Sequence, residues 1–148
     1  MRRTLVALML CGIVLSGCGK EDDMQLRDRA EARATEARAH IDDLAARVGT
    51  DPEVVQDELG ECVPGQEDSG LDLSYTVHVT VDDGAAERLR GEIAEHYEAQ
   101  GWKVTRDPQD PADDEVSVRF AKDTFTMGAN LSPSASRAAV AGSGGCVR

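Results

Sequence analysis

Four cysteines, at positions 11, 18, 62 and 146, carry most of the reactive side-chain chemistry of this 148-residue chain. A thiol can be acylated, can be oxidised to a disulfide, or can lose its proton to bind a metal or attack an electrophile. Cys11 and Cys18 lie in or beside an N-terminal apolar run, whereas Cys62 and Cys146 lie in the polar remainder of the chain. The surroundings of each cysteine therefore decide which chemistry we expect.

The N-terminal apolar run has the length and flanks of a secretory signal peptide. Arg2 and Arg3 precede it, and it covers 11 residues, from Leu5 to Leu15. A helix that spans a bilayer needs about 20 apolar residues, so the run is too short for a membrane span. We expect residues 1–17 to be a signal peptide that is removed. The general secretory route is favoured over twin-arginine export, because Leu5 stands where the latter usually has phenylalanine.

The end of this segment, Leu15-Ser16-Gly17-Cys18, resembles the lipobox of bacterial lipoprotein precursors, in which a leucine precedes two small residues and a cysteine. The resemblance implies that the Cys18 thiol receives a diacylglyceryl group and that a peptidase cuts just before it. Cys11 does not fit, because Met9 and Leu10 stand where small residues are required. The other interpretation is an ordinary secretion signal in which Cys18 is incidental.

The chain as a whole is similar to small surface lipoproteins of actinobacterial type. The similarity rests on the lipobox, on an Ala-rich segment after it and on the terminal Gly-x-Cys at 144–146. It implies a palmitate-type anchor that holds acylated Cys18 in the lipid bilayer, at the outer face of the cell membrane, and it brings no defined activity. Two or three acyl chains are enough for stable anchoring.

Cys62 and Cys146 are then the two remaining thiols of a protein in an oxidising compartment, which favours a disulfide between them. The bridge would close a loop of about 85 residues, worth up to about 4.5 kcal/mol in the chain-entropy model. A catalytic thiol pair or a metal site is the alternative. Neither Cys-x-x-Cys spacing nor a nearby histidine favours it.

The other candidate groups for chemistry are scattered. His40, His78 and His96 fall on different predicted elements without metal-ligand spacing, so we expect no metal site and no cofactor. The acidic loop at 107–115 lacks the pattern of an EF-hand, and a solvated loop is favoured over a Ca²⁺ site. No catalytic constellation is visible, so an enzyme is not expected. The net charge of −12 disfavours nucleic acid as a partner.

The first predicted element is a helix at 21–48, free of glycine and proline. Its apolar stripe is narrow and mostly alanine before Ile41: Leu26, Ala30, Ala34, Ala37, Ile41, Leu44 and Val48. We expect a stalk whose last two turns dock on the core. A coiled-coil helix is the alternative, although it would need more leucine in the stripe.

The remaining pattern predicts an α+β domain. A short second helix is expected at 50–60, where Thr50 and Glu53 form a capping box. Strict alternation at 71–82 predicts a strand, a helix follows at 84–100, and the later strands are expected near 102–104, 116–120, 125–131 and 137–141. The fold class is therefore an antiparallel sheet of about four or five strands with helices on one face. The expected divisions are 1–17, a lipidated helical stalk at 18–49 and a disulfide-braced domain at 50–148.

The uncovered face of this sheet is the predicted interaction surface. Alternation places small polar side chains there: Ser74, Thr76, His78, Thr80, Ser117, Arg119, Thr124, Thr126 and Asn130. Thr76, His78, Arg119 and Asn130 are the residues favoured for contact with an envelope protein or a cell-wall partner. The expected function is a non-enzymatic, membrane-anchored binding domain. The alternatives are a small-ligand carrier with a cavity between helix and sheet, or a hydrolase.

Overall fold

A computed structural model describes residues 19–108, 115–132, 134 and 136–148. The predicted signal peptide, with Cys11, and the predicted lipidation site Cys18 lie outside the described residues. The helices and strands that the structure describes are, in chain order, α1 (Gly19–Val48), β1 (Thr50–Glu61), β2 (Leu71–Thr80), α2 (three consecutive segments, Ala85–Arg88, Leu89–Ile93 and Ala94–Ala99), β3 (Lys103–Arg106), β4 (Val116–Lys122), β5 (Phe125–Ser132) and β6 (Arg137–Ser143). A short 3₁₀ helix, Glu67–Ser69, lies between β1 and β2. Neither α1 nor α2 combines the length and apolarity that a bilayer-spanning helix requires.

The strands form one six-stranded sheet in the order β1-β2-β6-β5-β4-β3. Every neighbouring pair is antiparallel. Strands β3 to β6 lie side by side in chain order. The last of them, β6, also pairs with β2 and so connects this part of the sheet to the β1–β2 hairpin. One face of the sheet packs with α1 and α2 into a single aliphatic and aromatic core. The α+β class is thus confirmed, with six strands instead of four or five.

The additional strand is β1, where the sequence predicts a helix, and that prediction is wrong. Between α1 and β1 the backbone lies close to the end of β2, since a Cβ on Gly49 would be 2.3 Å from the carbonyl oxygen of Thr80. Asp51 has a φ of +52°, and the register between Thr50 and Glu53 shifts by one residue. Pro52 falls in this irregularity, where a strand tolerates proline. Pairing with β2 therefore overrides the local capping-box signal.

The other predicted elements are confirmed. The alternation in β2 buries Leu73, Tyr75, Val77 and Val79 and turns the intervening residues to the other face. The helix after β2 differs in one detail, because its middle segment Leu89–Ile93 is a π-helical turn. A π-helical turn contains one more residue than an α-helical turn, and the spacing of apolar residues does not predict this insertion.

Helix α1 docks on the sheet along most of its length. Its stripe from Ala30 to Val48 is at most 2% exposed, which covers about five turns. The stripe meets glycines at the end of the sheet: a Cβ on Gly144 would lie 3.5 Å from the Cβ of Ala37, and one on Gly142 would lie 2.9 Å from Ile41 Cδ1. The expectation that only the last two turns contact the core is therefore wrong. Small residues on both sides allow a close helix–sheet approach.

We expect Ala37→Leu to lower the free energy of unfolding by about 1–3 kcal/mol, because the larger side chain has no space against Gly144. Ala39→Leu, on the exposed side of the same helix, is the matched control and should change it by less than about 0.5 kcal/mol. Urea unfolding of both variants measures the difference. Equal stability of the two variants would favour a free stalk over a docked helix.

Candidate functional site

Cys62 and Cys146 form a disulfide, with an S–S distance of 2.03 Å and a Cα–Cα distance of 5.6 Å. It joins the loop between β1 and β2 to the segment after β6. Beside it, Leu71 and Val147 exchange two backbone hydrogen bonds of 2.9 and 2.8 Å. The predicted pairing is confirmed, and the bond lies at one end of the sheet as a structural brace.

The sheet face opposite the helices, which we call the outer face, carries the predicted interaction residues in two cross-strand rows. The first row runs from β1 to β3 through Gln56, Thr76, Ala141, Gly128, Arg119 and Thr105. The second row runs from β1 to β4 through Glu53, His78, Ala139, Asn130 and Ser117. All four favoured residues therefore share the outer face.

These four residues are not one contact cluster. Thr76 and His78 lie on β2 and Arg119 lies on β4, with β6 and β5 between them. Three inter-strand steps of about 4.8 Å place Thr76 about 14 Å from Arg119. Between them the outer face is shallow, because β6 and β5 present Ala139, Ala141 and Gly128 there.

The low middle of the outer face forms an open groove of about 790 Å³. Its floor includes Gly128, Ala139 and Ala141, and hydroxyl, amide and charged groups stand around it, including Ser117, Arg119, Thr126 and Asn130. A second hollow of about 420 Å³ adjoins it at Asn130 and is lined by His78 and Arg137. The outer face therefore offers hydrogen-bonding groups around a floor on which a partner can approach the backbone closely.

Ion pairs balance the charge at both sides of the outer face. Arg119 donates to Asp107 at 2.5 Å, and this hydrogen bond lowers the pKa of the Asp107 carboxyl. Arg137 reaches Glu53 on β1 at 2.7 Å. Residues 109–114 of the predicted acidic loop, which would have supplied most Ca²⁺ ligands, lie outside the described residues.

Thr124 is not on the outer face, which corrects the prediction. It lies in the turn between β4 and β5, and its hydroxyl accepts a hydrogen bond from Arg33 of α1. The alternation of β5 begins at Phe125, and the two-residue period of a strand does not hold in the turn before it.

The three histidines lie in separate environments. His40 packs between the rings of Trp102 and Phe125, each with a centroid distance of 5.1 Å. His96 contacts Tyr97, and His78 lies on the outer face. Within the described ranges, His, Cys, Asp and Glu form no group of three or more that could hold a metal ion.

All five aromatic residues of the chain lie on the helix-covered side of the sheet. Tyr97, Trp102 and Phe120 pack together in the core, and Tyr75 is buried under α1. Phe125 packs against that core and lies under the guanidinium of Arg33. The outer face consequently has no aromatic platform on which a sugar ring could stack.

Two tyrosine–aspartate hydrogen bonds, which the sequence reasoning missed, hold α1 in place. Tyr75 of β2 donates to Asp42 at 3.0 Å, and Tyr97 of α2 donates to the adjacent Asp43 at 2.7 Å. Burial, followed by the bond to Asp42, raises the pKa of Tyr75 to about 12, and burial also raises that of Tyr97. The sequence offers one signal for these hydrogen bonds, the two acidic residues Asp42 and Asp43 directly after Ile41, which belongs to the apolar stripe. The arrangement positions α1 against β2 and α2.

The two tyrosines predict an unusual alkaline titration. Because both pKa values lie above the ordinary value of about 10, we expect little tyrosinate in the folded protein near pH 10, where the urea-unfolded chain should be half ionised. The stabilisation that accompanies these raised values is complete below about pH 10 and is lost as the pH rises through about 12. Tyrosinate absorbance measures both curves. Ionisation of the folded protein at the same pH as the unfolded chain would contradict the burial and hydrogen bonding of the two tyrosine hydroxyls.

Comparison of the chain with protein-family models, with curated protein sequences and with solved structures finds no match in any of the three. A functional proposal therefore depends on the lipobox-like segment and on the geometry of the described residues.

Proposed function

We propose that this protein is a lipid-anchored domain on the outer face of the cell membrane, and that it binds a protein partner of the cell envelope without catalysing a reaction. In this proposal residues 1–17 are removed and Cys18 carries the acyl chains. The loss of Arg2 and Arg3 changes the net charge from −12 to −14. Acyl chains on one cysteine then hold an acidic domain at a membrane surface that does not attract it electrostatically.

Two features support the anchor and the location. The Cys62–Cys146 disulfide is of the kind that persists in oxidising, extracytoplasmic compartments. Helix α1 begins at Gly19, the residue after Cys18 in the sequence, and Ala30 is the first buried residue among those of α1 whose burial is described. The 11 intervening residues rise about 17 Å, which separates the acyl chains from the core.

The binding role rests on one observation, the open outer face over a filled core. A small-ligand carrier would need space between helices and sheet, yet Leu44, Leu89 and Val140 fill that layer and are fully buried. A hydrolase would need convergent polar groups in a cleft. The groove on the outer face instead has a floor of small residues with Thr76, His78, Arg119 and Asn130 placed on the surface around it.

A protein partner is favoured over a cell-wall glycan. Sugar rings bind most strongly where they can stack on aromatic side chains, and the aromatic residues lie on the other side of the sheet. A floor of Gly128, Ala139 and Ala141 lets a partner's backbone come close, and the surrounding hydroxyl and amide groups can pair with peptide groups.

Site-specific photo-crosslinking in intact cells tests the binding face. A photoreactive residue at Thr126, which is exposed in the groove, should give a discrete crosslinked product, whereas one at Glu36, exposed on α1, should not. Ala141→Lys, which raises the groove floor, should abolish the Thr126 product, and Ala39→Lys on the exposed side of α1 should leave it intact. Equal crosslinking from both positions, or a product unaffected by Ala141→Lys, would contradict the outer face as the binding surface.

A further inference from the structure

We propose that β1 is a second interaction surface, an open strand edge that accepts an extended, positively charged polypeptide segment as a seventh strand. The inference depends neither on the lipid anchor nor on what occupies the groove. Within the described residues β1 pairs with β2 alone, so its other edge presents unpaired backbone groups. At 12 residues it is about 40 Å long, more than enough for strand addition.

The edge combines backbone exposure with exposed apolar side chains. Residues 50–58 are all exposed. Val54 is 53% exposed and Val55 is 47% exposed, which makes them two of the most exposed large apolar residues described. Val54 pairs with Val77 and Gln56 with Thr76, so Val55 is the extra residue of a β-bulge. An added strand would cover this apolar pair.

The charge of the edge has a single sign. The strand contains five acidic residues and no Lys or Arg: Asp51, Glu53, Asp57, Glu58 and Glu61. Two of the five are neutralised within the described chain, Glu53 by Arg137 and Asp57 by Arg38. Asp51, Glu58 and Glu61 take part in none of the ion pairs found among the described residues. A net acidic edge remains.

The acidic charge of β1 distinguishes between two occupants of its open edge, a second copy of β1 and a strand that carries Lys or Arg. Charges, bulges and prolines commonly protect strand edges, and the acidic side chains would protect β1 against a second copy of itself, because carboxylates would face carboxylates. The same charges favour a strand that carries Lys or Arg. Protection alone does not account for the exposed Val54–Val55 pair, which a purely defensive edge would replace with polar residues. The opposite edge, β3, is only four residues long and includes Lys103 and Arg106.

A synthetic peptide of alternating lysine and valine is the probe, titrated into the purified full protein and followed by backbone amide NMR. We expect saturable shifts at Thr50–Glu61 with this peptide and none with the glutamate–valine equivalent. A lysine–valine peptide with alternate amides N-methylated keeps its charge but cannot complete a ladder, and it should not bind. Equal binding of the N-methylated peptide would reduce the effect to charge attraction and overturn the proposal.

Matched charge reversals test the location. Glu58→Lys should weaken peptide binding by roughly three- to tenfold, because a favourable cross-strand pair becomes a repulsive one. Glu36→Lys makes the same change in net charge on the exposed side of α1 and should weaken it by less than about twofold. Thermal melts check that both variants stay folded. Equal effects of the two reversals, absence of binding, or a dimer of the protein through β1 would each overturn the proposal.

Discussion

Replacing both Cys62 and Cys146 by serine should lower the free energy of unfolding by about 2–4 kcal/mol and the melting temperature by roughly 10 °C. The two residues are 84 positions apart in a chain of 148, so the bond restricts the unfolded chain over more than half of its length. In the folded protein it fastens the loop after β1 to the segment that pairs with Leu71 through Val147. Thermal unfolding followed by circular dichroism measures the change.

The C-terminal segment around Val147 is closely packed against Gly70, which adds to the expected loss of stability. A Cβ on Gly70, whose φ is +98°, would lie 2.3 Å from the carbonyl oxygen of Val147. Without the bond, this close approach depends on the two hydrogen bonds between Val147 and Leu71, at the start of β2. We therefore expect the terminal segment to detach before the remaining sheet unfolds.

Reductant provides the control for the disulfide. A thiol reagent should lower the melting temperature of the natural protein toward that of the double-serine variant and leave the variant itself unchanged. If the variant does not fold, reduction of the natural protein under native conditions gives the same comparison. Free thiols at both positions in the folded protein, or a loss below about 1 kcal/mol, would contradict a structural brace.

Periodicity predicted those parts of the fold in which local pattern and tertiary environment agree. The alternation of β2 from Leu71 to Thr80 is one example, because its two faces meet a core and solvent. The uninterrupted helix-forming run of α1 is another. The outer face could also be predicted from alternation. The sequence could not predict which residues of different strands lie next to one another on that face. Strand β6 inserts between β2 and β5, and the register of each pair depends on residues far apart in the chain.

The failures arise where distant contacts decide. Thr50 and Glu53 carry a helix-capping signal, but the chain there pairs with β2 instead. The alanine stripe of α1 offers little apolar area by itself, and its value depends on Gly142 and Gly144, about a hundred residues later. Asp42 and Asp43 look like solvated acids until the tyrosines that reach them are located. Each case needs the three-dimensional partner before the residue can be interpreted.

The proposed lipid anchor at Cys18 predicts an all-or-none result. The thioether requires a thiol, so Cys18→Ala removes the attachment point and the peptidase site together, while the fold of residues 30–148 should be unaffected. Cys11→Ala is the matched control, because Met9 and Leu10 stand where a lipobox needs small residues. This control changes a cysteine of the same predicted signal peptide and leaves the lipobox-like residues 15–18 unchanged.

Membrane fractionation of cells grown with labelled palmitate, comparing the natural protein with Cys18→Ala and Cys11→Ala, tests the anchored location most directly. The natural protein and Cys11→Ala should remain in the membrane fraction and carry the label. Cys18→Ala should lose the label and its stable membrane attachment. Label and membrane association that persist in Cys18→Ala would contradict the lipid anchor.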